Sequence, residues 1–433
     1  MQAGETIYAL SSGAPPAALA IIRISGVRAG PALQALCGAL PAPRRASLRS
    51  LRHPETGDLL DRGVVLWFPG PHTATGEDLG ELHLHGGRAV VRAVEAALAA
   101  LPGLRLAEPG EFTRRAFQNG RIDLAEAEGL SDLLFAETEA QRVAAIRMAS
   151  GHLSRQVETW RHDVLRLSAL VEADLDFSDE DDVDADVADM VGQGANALAA
   201  DIRAALARPR AERLRDGIRV VLAGPPNSGK STLLNALLQR EAAIVSDIAG
   251  TTRDVIEAPV ALQGVPFVLT DTAGLRDEGA EAIETIGIER ARTAMAGADI
   301  VLWLGPEGEG PEHPALWEIE TQIDRQGVSR ETKRSARQRV SAQTGEGLQA
   351  LIDDLVITAR TLLPGAGEVA LNARQHALLV QCADAVDQAV AMDDPLLRAE
   401  SLRLARLALD QLLGRTHVED MLDALFGAFC IGK

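Results

Sequence analysis

The sequence predicts a multidomain α/β protein. It comprises an α+β unit over residues 1–118, a helical domain in two parts, 119–215 and 365–433, and a P-loop domain over 216–364 inserted between those parts. Three observations carry this prediction. The first is Gly224-Pro225-Pro226-Asn227-Ser228-Gly229-Lys230-Ser231-Thr232, which fits G-x-x-x-x-G-K-[ST]. The apolar run 218–223 precedes it, and Leu233, Leu234, Leu237 and Leu238 follow at helical spacing. The second is a change near residue 118 from short strand-like runs to long alanine-rich helical patterns. The third is the return of the helical period after Leu363, so that helices flank the P-loop unit on both sides.

In the first unit, 20–24, 64–68 and 81–85 read as strands and 90–101 as a helix. His83 and His85 are expected on opposite faces of their strand, packing or hydrogen-bonding rather than sharing a metal. From Ile122 to Leu214 the pattern is helical, interrupted by the acidic run Asp174 to Asp189. That run lacks the glycine and terminal glutamate of an EF-hand loop, so a solvated turn is expected. In the P-loop unit, 265–270 reads as a strand ending in Asp271-Thr272-Ala273-Gly274, and Pro364-Gly365-Ala366-Gly367 closes the unit as a linker. Residues 372–413 are helical, with Leu378, Leu379, Val386, Val390, Leu402 and Leu409 as expected core positions. An inserted domain on two linkers moves as a body, which suits a switch.

Of the 433 residues, 46% are hydrophobic but only 3% aromatic, so alanine and leucine carry the core and close helix packing is favoured. There is no signal peptide and no apolar run of about twenty residues, so a soluble cytoplasmic protein is expected. Cys37, Cys382 and Cys430 are scattered, with neither zinc spacing nor a disulfide framework. A formal net charge of −19 argues against a broad RNA-binding surface. The basic stretches 203–215 and 325–339 are expected to be solvated faces, so a nucleic-acid substrate would be held largely by a partner protein.

The loop glycines let backbone N–H groups approach phosphate oxygens, and the helix N-terminus adds partial positive charge. Lys230 is expected to bridge the terminal phosphates and the Ser231 hydroxyl to hold magnesium. Gly250-Thr251-Thr252-Arg253-Asp254 follows in a polar loop, where a threonine closes over a γ-phosphate and gives magnesium a second protein oxygen. Asp271, at its strand end, suits magnesium through water, and Gly274 offers an N–H to the γ-phosphate. Three such motifs in this order on alternating strands and helices indicate a nucleoside-triphosphate switch of the GTPase type. Many GTPases place a glutamine after D-T-A-G to orient the attacking water; here it is Leu275, so another group must do so. Asn227 is suited to coordinate a monovalent cation beside the phosphates.

The base-reading N-K-x-D motif is missing. Its best counterpart is Thr321-Gln322-Ile323-Asp324, after the weak strand 316–320, with Ser341-Ala342-Gln343 as the next base-contact loop. Asp324 can accept two hydrogen bonds from guanine N1–H and N2–H₂, whereas Gln322 supplies no ammonium. A lost charge-assisted contact weakens binding by about 1.5–3 kcal/mol at most, so weak, GTP-selective binding is expected.

The chain resembles the tRNA-modification GTPase family MnmE/TrmE over nearly its whole length. The likeness lies in Ile21-Ile22-Arg23-Ile24-Ser25-Gly26, Thr75-Gly76-Glu77-Asp78, Glu81-Leu82-His83-Leu84-His85-Gly86-Gly87 and Pro109-Gly110-Glu111-Phe112-Thr113-Arg114-Arg115-Ala116-Phe117. It continues in Arg121-Ile122-Asp123-Leu124-Ala125-Glu126-Ala127-Glu128, Gly287-Ile288-Glu289-Arg290-Ala291 and the terminal Phe429-Cys430-Ile431-Gly432-Lys433. The resemblance implies a Ras-like GTPase domain and an N-terminal domain that dimerises and binds 5-formyl-tetrahydrofolate through Arg23, Glu81, Arg121 and Lys433. Many relatives carry G-R-G-G where this chain has Ala17-Ala18-Leu19-Ala20, which bears on folate affinity. GTP would be bound by Asn227 to Thr232, by Ser246, Asp247, Ile248, Ala249, Gly250, Thr251 and Thr252, by Asp271 to Gly274, and by Asp324 with Ser341, Ala342 and Gln343. Magnesium falls to Ser231 and Thr252, and potassium to Asn227, Ser246, Ile248 and Thr251. Glu284 would orient the attacking water, and Cys430 is the implied modification-site residue.

As implied by the resemblance, potassium-stimulated GTP hydrolysis is coupled to carboxymethylaminomethyl or aminomethyl addition at C5 of a tRNA wobble uridine. The partners would be a second copy of the chain and an FAD protein of the MnmG/GidA type, as a heterotetramer, with no membrane. Two other readings stay open: a regulatory GTPase of ribosome assembly, and a folate-dependent one-carbon transferase with a degenerate GTPase domain.

Overall fold

In a computed structural model of the chain, the described residues are 5–176, 184–240, 257–272, 291–325, 332–365, 370–416 and 419–433. They fall into two compact units, Met1–Ser131 with Asp410–Lys433, and Asp132–Leu409.

The first unit is built on a six-stranded sheet, β1 (Thr6–Leu10), β2 (Leu19–Ser25), β3 (Ser47–Arg52), β4 (Leu59–Phe68), β5 (Leu79–His85) and β6 (Leu104–Leu106). The order is β3-β4-β5-β2-β1-β6, antiparallel except for the β1–β6 pair. Alternation sets the two faces. Ile22, Ile24, Leu82 and Leu84 point to a core shared with helices Ala29–Cys37 and Arg88–Ala99 through Leu33, Leu36, Val91, Val94 and Leu98. Each such side chain contributes about 1.5–3 kcal/mol on burial. The other face carries Ile7 and Ala9 against Phe112 of helix Glu111–Gln118, and it also carries Arg23, paired in register with Glu81. His83 and His85 correct the expectation of opposite faces, because residues two apart on a strand share one face. His83 contacts Glu81 at 3.2 Å and His85 contacts Asp61 at 2.8 Å, so each histidine takes its own carboxylate.

The chain's last residues belong to this unit. Phe426 and Phe429 are buried with Ala127, and Pro109 bridges to Ile431. Gly432 lies at φ +96°, and a Cβ there would stand 2.2 Å from the Leu10 carbonyl oxygen, so only glycine lets the tail close on the end of β1.

In the second unit, helices Glu139–Ala149, His152–Asp176 and Asp184–Leu206 join helices Ala373–Ala391 and Pro395–Leu412. Their core rests on small and aliphatic side chains, with Trp160 as its large member, its indole donating to Asp201 Oδ2 at 2.6 Å. Leu379, Val386, Leu402 and Leu409 are buried as expected, but Leu378 is half-buried and Val390 is 36% exposed. The expected run 372–413 is two helices. Asp394 accepts the Leu396 N–H at 2.8 Å at the start of the second, where Pro395 has no N–H to lose. The acidic run 174–189 enters helices at both ends, and residues 177–183 lie outside the described residues.

The P-loop part of this unit holds β7 (Ile218–Ala223), β8 (Glu257–Leu262), β9 (Val265–Asp271), β10 (Ile300–Trp303), β11 (Leu316–Thr321) and β12 (Gln338–Val340). Their order is β12-β11-β10-β7-β9-β8, parallel apart from the β8–β9 hairpin. Helices Lys230–Arg240 and Leu348–Leu362 bury one face through Leu233, Leu237, Leu351 and Leu355. A parallel crossover normally carries a helix, yet β10 reaches β11 through residues 304–315 with none. The opposite face of β11 is correspondingly polar. Glu318 pairs with buried Lys333 at 2.6 Å, Glu320 pairs with Arg339 at 2.9 Å, and Glu307 accepts the Arg334 and Ser335 N–H groups.

Candidate functional site

The phosphate loop runs from the end of β7 into helix Lys230–Arg240. Lys230 is buried, and its ammonium donates to the Gly224 and Pro225 carbonyls at 3.0 and 2.9 Å, which fixes the charge at the mouth of the loop. The Ser231 hydroxyl donates to Asp271 Oδ2, so the two residues expected around magnesium are already side by side. Ser228 Oγ is buried without a hydrogen-bond partner among the described residues, a cost that a phosphate oxygen in the loop would relieve. A cavity of about 740 Å³ opens beside these groups, lined by Gly224, Pro226, Lys230, Thr272, Trp303 and Glu309.

The base loop meets the phosphate loop from the other side. Thr321, the last residue of β11, donates through Oγ1 to the Ser228 carbonyl at 2.6 Å, and Gln322 Nε2 donates to the Asn227 carbonyl at 3.0 Å. A cavity of about 100 Å³ between Gly229, Thr232, Gln322, Asp324, Ala342 and Gln343 brings the three base-reading segments together. Asp324 Oδ1 accepts the Ser341 hydroxyl at 2.6 Å, and this bond holds the carboxyl below its ordinary range, so it is an acceptor at neutral pH. Sequence reasoning treated Thr321 and Gln322 as losses. In the structure both are donors to the phosphate loop. Asp324→Asn is expected to weaken GTP binding and favour xanthine nucleotide, because an amide matches the xanthine edge; competition titration with GTP, XTP and ATP checks it, and unchanged GTP preference would remove Asp324 from base reading.

Of the expected nucleotide and cation residues, Ser246 to Thr252, Ala273, Gly274 and Glu284 lie outside the described residues.

In the first unit, Arg23 Nε and Nη2 both donate to Glu81 Oε1, at 3.2 and 3.0 Å, and the guanidinium lies 5.9 Å from the Phe112 ring centre. Arg121 and Lys433 make no hydrogen bond or ion pair with that couple among the described residues. The Arg121 stem lies near Gly76, and the Lys433 N–H donates to the Cys430 carbonyl. The quoted T-G-E-D and P-G-E-F-T-R-R-A-F segments form a polar network that the sequence did not disclose. Arg115 joins Glu77 at 3.0 Å and Glu111 at 2.9 Å, Arg105 joins Glu111 at 2.6 Å, and Ser25 bridges Thr75 and Glu77. Burial alone would raise the Glu111 pKa, but Arg105, the Glu108 N–H and Arg115 outweigh it and hold the carboxyl below its ordinary value.

Burial pushes the Cys382 thiol up to about 12 and the half-buried Cys37 thiol up to about 11, whereas Cys430 is exposed. The two basic stretches are largely matched by acids: Arg203 with Asp387, Arg213 with Asp299, Arg215 with Asp216, and Arg337 with Asp354 beside the Lys333 and Arg339 pairs. No helix among the described residues is long and apolar enough to cross a membrane.

Two family descriptions match the chain: "GTP-binding protein TrmE N-terminus" over residues 6–121 and "MnmE helical domain" over 124–430. The tRNA modification GTPase MnmE of Erythrobacter litoralis is 61% identical over 430 residues, covering 99% of this chain and 100% of that protein. Those of Novosphingobium aromaticivorans and Rhizorhabdus wittichii are each 59% identical, covering 99% and 100% of this chain and 100% and 97% of their own lengths.

Proposed function

The chain belongs to the MnmE/TrmE family of tRNA modification GTPases, and on that premise we propose that it hydrolyses GTP to drive aminomethyl or carboxymethylaminomethyl addition at a tRNA wobble uridine. The observation that carries the nucleotide half of this reading is the junction of the two loops, where Thr321 and Gln322 hold the phosphate loop beside Asp324. Lys230 would draw negative charge from the terminal phosphates, and Asp324 would select guanine. Magnesium, at Ser231 and Thr252, would screen the phosphate charge. Water would be oriented by Glu284, since Leu275 has no polar group.

The rest of the reading concerns the flanking parts. The Arg23–Glu81 couple presents a donor and an acceptor side by side, which suits the pterin edge of 5-formyl-tetrahydrofolate; Arg121 and Lys433 are assigned to the same ligand. Cys430, the exposed thiol, is assigned to the modification step. The domains are 1–118, 119–215 with 365–433, and the inserted GTPase domain 216–364. The assembly is a homodimer with an FAD-protein partner in the cytoplasm, and the neutralised basic stretches favour tRNA held largely by that partner. Mass analysis of tRNA nucleosides from cells lacking the chain tests the function: the C5-modified uridine should disappear, and its persistence would favour a purely regulatory GTPase.

Asn227, with φ +61°, is proposed to hold potassium together with Ser246, Ile248 and Thr251. Hydrolysis should run several-fold or more faster in potassium than in sodium, and Asn227→Ala should abolish the difference; equal wild-type rates in the two salts would remove the cation from the mechanism.

A further inference from the structure

We propose that Gln322 is a positioning residue that couples guanine binding to cation-stimulated hydrolysis by holding the Asn227 carbonyl; this rests on the potassium reading above. Successive residues of the base loop reach successive carbonyls of the phosphate loop: Gln322 Nε2 to Asn227 O at 3.0 Å and Thr321 Oγ1 to Ser228 O at 2.6 Å. Both Asn227 and Gln322 are non-glycine residues in the left-handed region, at φ +61° and +59°. Such backbone persists where the surroundings over-determine it, and it clusters at ligand clamps. The next phosphate-loop residue, Gly229, leaves no slack. A Cβ there would stand 3.2 Å from Gln322 Nε2 and 3.6 Å from Thr321 Oγ1.

Glutamine suffices because a carbonyl acceptor needs a donor and not a charge. Gln322 also lines the base cavity with Asp324. When guanine fixes the base loop, the Asn227 backbone is fixed with it. The asparagine assigned to the cation is thereby held before the cation arrives, which lowers the ordering cost of binding the ion.

The test compares wild type, Gln322→Met, which keeps length without a donor, and Gln322→Lys, which restores a donor. Two readouts are taken on the full chain: affinity for a fluorescent GDP analogue, and the potassium concentration giving half-maximal hydrolysis. In Gln322→Met, affinity should fall about 2–10-fold, the worth of one neutral hydrogen bond. Half-saturating potassium should rise by a similar factor, and Gln322→Lys should return both toward wild type. Lower affinity with unmoved half-saturation overturns the coupling, and wild-type behaviour in both readouts overturns the clamp as well. Equal wild-type rates in potassium and sodium would overturn the cation reading and the coupling together, a result distinct from either.

Discussion

Lys230→Ala is expected to lower kcat for GTP hydrolysis by about 10²–10³-fold, the scale of removing one preorganised donor from a developing charge. The lysine is 5% exposed and both loop carbonyls hold it, so little reorganisation precedes its use. Hydrogen bonds to the Gly224 and Pro225 carbonyls also mean that its loss loosens the loop, so nucleotide affinity should fall with kcat. Single-turnover hydrolysis at saturating GTP separates the two effects. A rate within a few-fold of wild type would mean that the charge on the terminal phosphates is met elsewhere.

The second large effect is on stability. Arg115→Met should destabilise the first unit by about 3–5 kcal/mol, because it removes one partner of a buried ion pair and leaves carboxylates behind. Glu111 is 1% exposed in its side chain and Arg115 8%, so water cannot easily replace the lost contacts. Since a multidomain chain does not unfold in one step, amide hydrogen exchange in β1 and β2 is the measurement, and unchanged protection would show that the network is dispensable. The pH dependence has a definite sign. Glu111 titrates below its unfolded value, so its stabilisation is full above that unfolded value and is lost as pH falls through the folded one. Acidification should therefore weaken wild type, and Arg115→Met should blunt that response.

What the sequence disclosed was what is local. The phosphate loop was legible because its spacing, its strand and its helix are contiguous, and 218–223 matches β7 residue for residue. The weak run 316–320 was also readable as a strand, although only Trp317, Ile319 and Thr321 of β11 are buried. What escaped was what depends on pairing across the chain. Arg115 meets Glu77 from a distant segment, and Gln322 meets Asn227 across the sheet, so no window of sequence contains either contact. Val390 fits the helical period yet faces solvent, since period assigns a face without saying how wide the covered stripe is.

The helix-free crossover from β10 to β11 bears on how this sheet is made. Val301 pairs with Leu316 directly after the short loop 304–315. Parallel pairing is intrinsically slow because a long segment must be ordered before the strands meet, and the closure cost grows with the length enclosed. By shortening that segment, the chain turns its β10–β11 contact into one of lower contact order than a helical crossover allows. An edge that would otherwise wait for a helix to form and dock can therefore zip onto β10 early, and the Glu318–Lys333 pair then fastens it from outside.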